Sequence, residues 1–160
     1  MKALTRVMDF ADRITRLPIA HDPARAAEAR ALFSGLSGPM ADLIAGTAGC
    51  SPYLWSLMQK EAEWLAGAGL TDDLVARVLE GCADLDAEAL GPALRQAKRR
   101  VALMAALADL GGAWRLEQVT GALTDLADRA TDLALRAHLR REIDRGKLPD
   151  TDADAGGIFT

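Results

Sequence analysis

Three aspartates in alternation, Asp150, Asp152 and Asp154, come nearest in type and spacing to a chemical site. Alternating carboxylates bind divalent cations in nucleotide-transferring enzymes and in calcium loops. The calcium pattern fails on spacing: the glycine falls one residue late, at Gly156, and the bidentate glutamate would lie beyond Thr160. The nucleotide pattern lacks a preceding Gly-Ser phosphate loop and a sheet to hold the acids. The three aspartates are therefore expected in a solvated acidic linker.

The other reactive residue types are sparse. His21 and His138 are the only histidines. His138 and Glu142, four apart, share a helix face, but two ligands without a third or fourth make no metal site. Ser51 has no histidine at an informative spacing and sits where a helix N-cap belongs. Cys50 and Cys82 lack CxxC spacing, so both are expected as buried small apolar side chains rather than as a disulfide or zinc ligands. No glycine-rich phosphate loop, zincin motif or dinucleotide fingerprint occurs. No catalytic, cofactor-binding or metal-ligating residue is assigned.

Arg95, Lys98, Arg99 and Arg100 form the one basic cluster. At about 100° per residue they fan over one side of a helix, either as a solvated face or as a docking site for an acidic partner or a phosphate. Just beyond, Leu103, Leu107 and Leu110 add a second apolar stripe to a helix whose first stripe is Leu94, Ala97, Val101, Met104 and Ala108. A helix apolar nearly all round must lie between two layers: other helices of this chain, a missing domain, or a second copy. The Leu103, Leu107, Leu110 stripe is thus a candidate interface.

These residues are positioned by helices. The chain has 160 residues, enough for one domain with a real core, and a net charge of −4 that excludes a global basic field for nucleic acid or an anionic membrane. Half the residues are hydrophobic but only 4% are aromatic, and alanine dominates, which specifies an all-α protein. Lys2–Arg16 reads as an amphipathic helix, and Asp22-Pro23, Ser37-Gly38-Pro39 and Ser51-Pro52 read as three helix starts of cap-plus-proline type. Tyr53, Leu54, Leu57 and Met58 are expected to face inward, Thr71-Asp72-Asp73 to open a further helix, and Asp86 to cap the next. From Leu94 to Leu139 two long arms flank Gly111-Gly112, the second carrying Leu116, Val119, Leu123, Leu126, Ala130, Leu133 and Ala137 as its seam. Asp125 with Arg129 and Asp132 with Arg136 are four-residue ion pairs opposite that seam. The expectation is a bundle of six to seven helices with a long C-terminal helical hairpin. No signal peptide or membrane span is read, and a cytoplasmic location is the default.

Several runs, taken in order, resemble the glutamate-ammonia-ligase adenylyltransferases. Cys50-Ser51-Pro52-Tyr53-Leu54 is similar to a helix start early in that family. Leu94-Arg95-Gln96-Ala97-Lys98-Arg99-Arg100, ending at Ala108-Asp109-Leu110-Gly111-Gly112, resembles its basic helix. Trp114-Arg115-Leu116-Glu117-Gln118-Val119-Thr120 with Leu123-Thr124-Asp125-Leu126-Ala127-Asp128 resembles the helix that follows, and Gly156-Gly157-Ile158-Phe159-Thr160 the opening of the strand before its catalytic segment. Gln96-Ala97 and Met104-Ala105-Ala106 depart from the family pattern.

The resemblance implies residues 1–145 as the helical N-terminal region of such an enzyme and 146–160 as an acidic linker with the truncated start of its nucleotidyltransferase domain. It implies a bifunctional parent that adenylylates and deadenylylates glutamine synthetase in nitrogen assimilation. Mg and ATP would serve that parent, with glutamine synthetase, a PII signal protein and the rest of the polypeptide as partners. The catalytic carboxylates would lie past Thr160, leaving these residues inactive alone. The alternative is a free-standing homodimeric helical interaction module.

Overall fold

Alanine and leucine at helical spacing, with few β-branched residues, build a wholly helical chain. The computed structural model describes residues 10–67, 73–148 and 152–154, and among them are seven α-helices, two 3-10 turns and no strand. The helices are α1 (Pro23–Leu32), α2 (Gly38–Cys50), α3 (Pro52–Lys60), α4 (Ala62–Gly67), α5 (Leu74–Val78), α6 (Ala87–Leu110) and α7 (Leu116–Asp144). The chain divides into two units: residues 1–72 with 102–120, and residues 73–101 with 121–160.

In the first unit α2 is central. Leu43 through Gly49 are all buried, so the helix is enclosed on every side rather than on one stripe. Around it lie Leu54, Leu57, Met58 and Leu65 from α3 and α4, and Leu103, Met104, Leu107 and Ala108 from the second half of α6. Ser51 starts α3 as expected: its Oγ accepts from the Leu54 N–H at 3.2 Å. Removing that acceptor in Ser51→Ala is expected to lower stability by about 1 kcal/mol, read by urea unfolding. Ser37 makes no comparable side-chain bond, and Tyr53, expected inward, is 63% exposed.

The helix expected over Lys2–Arg16 is corrected in its described part. Phe10–Arg13 is a single 3-10 turn, and residues 14–22 form a non-helical strap; residues 1–9 lie outside the described residues. The strap's backbone is satisfied by tertiary rather than helical bonds. The Thr15 and Arg16 N–H groups donate to the Gly111 carbonyl and the Asp22 N–H to the Gly49 carbonyl, while the Arg16 guanidinium reaches the Asp109 and Leu110 carbonyls. Glycine makes this approach feasible: a Cβ at Gly46 would sit 2.1 Å from the Pro18 carbonyl oxygen, and one at Gly49 2.5 Å from the Ala20 Cβ. Asp22 then caps α1 by accepting from the Arg25 N–H, and that bond, first among its causes, holds its carboxyl below the usual range.

α6 stops at a glycine-led Schellman turn. Gly112 has φ +64°, its N–H donates to the Asp109 carbonyl and that of Ala113 to the Ala108 carbonyl. Four residues later α7 begins, so two long helices flank the Gly111-Gly112 corner, the first starting at Ala87 rather than Leu94.

In the second unit Leu74, Val75, Leu79, Cys82, Leu90, Ala97, Val101, Leu126 and Ala137 are buried. Asp86 caps α6 as expected, its Oδ1 accepting from the Glu88 and Ala89 N–H groups. Asp73 precedes α5 without a side-chain cap bond; Thr71 and Asp72 lie outside the described residues. The first turn of α6 and the last turns of α7 line a common cleft.

Candidate functional site

A cleft of the second unit gathers acidic and basic side chains, and its position follows from two helix ends. α6 begins at Asp86, which brings Asp84, Asp86 and Glu88 to one wall; the last turns of α7 supply Arg140, Arg141 and Arg145 to the other, over about 750 Å3. Most of these charges already have partners. Asp86 is committed to its cap. Arg140 donates to the Ala83 carbonyl at 3.2 Å and pairs with Asp154. Arg141 and Arg145 lie 3.5 and 3.0 Å from Glu142, which Lys147 also reaches at 3.1 Å.

The Lys147 hydrogen bond, ahead of the neighbouring positive charges, holds the Glu142 carboxyl below its ordinary range. A carboxyl whose folded pKa is depressed stabilises the fold above its unfolded pKa and loses that contribution as pH falls through the folded value. Glu142→Gln is therefore expected to flatten the acid limb of the stability curve below pH ~4.3. Urea midpoints across pH 2.5–6 read it, and an unchanged limb would remove the assigned role.

Among the described residues no group of three His, Cys, Asp or Glu side chains is placed to hold a metal ion. His138 is exposed on α7. Asp150 lies outside the described residues, whereas Asp152 and Asp154 are engaged locally: the Asp154 N–H donates to Asp152 Oδ1 at 2.8 Å.

Arg95 and Lys98 are exposed on α6, while Arg99 and Arg100 are half-buried, so the basic cluster splits into an outward and a packed pair. The Leu103, Leu107, Leu110 stripe is corrected. Leu103 and Leu107 are fully buried inside the first unit and Leu110 is half-buried, so the chain's own helices form the second layer. The α7 seam is corrected too, because Leu116 is 70% and Leu123 44% exposed and only Leu126 and Ala137 of that face are buried. Cys82 is buried and desolvation raises its thiol pKa, but Cys50 is exposed, its Sγ donating to the Ile19 carbonyl. The Asp125–Arg129 and Asp132–Arg136 pairs form at 2.7 and 2.9 Å. Sequence reading missed the contacts of Asp154 with Arg140 and Arg136; the available signal was two arginines four apart followed by an acidic run.

No helix of the described residues is long and apolar enough to cross a membrane. No solved structure matches the chain. Among curated proteins, a bifunctional glutamine synthetase adenylyltransferase/adenylyl-removing enzyme of Bradyrhizobium sp. is 38% identical over 83% of this chain and 14% of its own length. The enzyme of the same name from Rhodopseudomonas palustris is 34% identical over 98% of this chain and 19% of its own length, and that from Caulobacter vibrioides 35% identical over 84% and 14%. The chain thus spans under a fifth of the length of these relatives. The model of the family described as glutamate-ammonia ligase adenylyltransferase matches residues 39–158, from the start of α2 to beyond the end of α7. With three quarters of its residues matched in the order that the Ser51, Leu94–Gly112 and Trp114–Asp128 runs anticipate, the chain belongs to the glutamate-ammonia ligase adenylyltransferase family.

Proposed function

We propose that these residues are the helical N-terminal part of a bifunctional nucleotidyltransferase that adds AMP to and removes it from glutamine synthetase. The observation that carries the reading is the family match over residues 39–158. In this reading the helices support a catalytic domain whose carboxylates lie outside these residues. ATP and Mg serve the whole protein, a PII signal protein and glutamine synthetase are its partners, and the cytoplasm is its compartment. The described side chains do not fit a Mg–ATP site, so no step of the reaction is assigned to them. Arg95 and Lys98 are the outward cations available to an acidic surface of a partner or of the catalytic domain.

A chimera tests the reading: this chain replaces the residues it matches in the Bradyrhizobium relative. With phosphate and magnesium, the chimera is expected to remove the adenylyl group from adenylylated glutamine synthetase as ADP, whereas the relative lacking those residues loses the activity. A folded chimera without activity, or a deletion with full activity, would contradict the supporting role.

A further inference from the structure

Among the described residues of the acidic run, Asp154 is held on the second unit. Asp154 Oδ1 lies 2.5 Å from Arg140 Nη2 and 3.8 Å from Arg136 Nη1. These two arginines are one helical turn apart, so their guanidiniums converge on a single carboxylate. Arg140 is held on its other side, donating through Nη1 to the Ala83 carbonyl at 3.2 Å. One guanidinium thus ties residues 82–84, α7 and the acidic run together. Between the two aspartates Ala153 is only 6% exposed, although Asp152 and Asp154 are both exposed, and the Asp154 N–H donates back to Asp152 Oδ1. A run solvated as a free linker would leave Ala153 in water.

We propose that Asp154 is a salt-sensitive latch, seated on Arg136 and Arg140, that fastens residues 152–154 to the second unit. Exposed ion pairs are individually weak and are screened by salt, so the latch is closed at low ionic strength and opens readily. The alternation of the aspartates serves this seating: Asp152 shapes the turn and Asp154 makes the bond.

The test is backbone relaxation by NMR on the 160-residue chain, which reads the latch without any catalytic assay. In low salt the Ala153 amide is expected to be ordered, with an order parameter near the ~0.85 of rigid backbone, and to fall below ~0.6 in Asp154→Asn, in Arg140→Gln and at 1 M NaCl. Asp152→Asn, which keeps an acceptor oxygen, leaves it ordered. The charge-swapped pair Arg140→Asp with Asp154→Arg restores order that Arg140→Asp alone removes, and α7 resonances report that each variant remains folded. An Ala153 amide already mobile in the unmodified chain, or one that stays ordered in Asp154→Asn and Arg140→Gln, would overturn the latch.

Discussion

Gly46→Ala is expected to destabilise the first unit by about 3 kcal/mol, near the upper end of overpacking effects. The added Cβ would sit 2.1 Å from the Pro18 carbonyl oxygen, and what it meets is backbone, not the end of a flexible side chain. The strap is fixed at both ends, by Thr15 and Arg16 on the Gly111 carbonyl and by Asp22 on the Gly49 carbonyl, so relief requires breaking those bonds or tilting α2. Gly121→Ala is the control. Nothing lies within 4 Å of a Cβ there, the residue is exposed within α7, and alanine should stabilise that helix by roughly 0.5–1 kcal/mol. Urea unfolding of both variants separates the readings: the same substitution has opposite signs at a close approach and on an open helix face. A neutral Gly46→Ala would mean that the strap does not lie on α2.

Leu107→Ala is the second large effect. Leu107 is fully buried in the first unit, and truncating such a residue costs roughly 2–5 kcal/mol through lost burial and the cavity left behind. The residue had been a candidate for an interface between copies, and the two roles differ in kind. A core role lowers the urea midpoint with no change in solution mass, while an interface role changes mass and leaves the fold largely intact. Leu116→Ser, at a position 70% exposed, is expected to change stability by less than about 0.5 kcal/mol.

Features that depend on a few neighbouring residues were legible in the sequence. Asp22, Ser51 and Asp86 cap helices because each cap is a bond between a side chain and an N–H three residues away or fewer. The Gly111-Gly112 corner was legible for the same reason. Non-local features were not. The strap reads as the end of an amphipathic helix because Ala11 and Ile14 keep helical spacing, yet the hydrogen bonds of Thr15 and Arg16 go to residues more than ninety positions away.

Apolar periodicity told which residues share a face but not which face is covered. α6 buries both of its stripes, whereas α7 leaves Leu116 and Leu123 in water. Around the candidate site, the acids at 150–154 were visible from spacing, and their seating on Arg136 and Arg140 was not, since that contact joins two elements. The basic cluster divides for a similar reason: helix angle places Arg95 through Arg100 on one side, but only packing decides that Arg99 and Arg100 are half-buried.

We propose that this helical chain supports nucleotidyl transfer without carrying its catalytic groups. Incubating the purified 160-residue chain with adenylylated glutamine synthetase, phosphate and magnesium, and measuring released adenine nucleotide, tests it most directly. The account predicts no release above the enzyme-free rate. Sustained multiple turnover would contradict it and place the catalytic carboxylates within these residues.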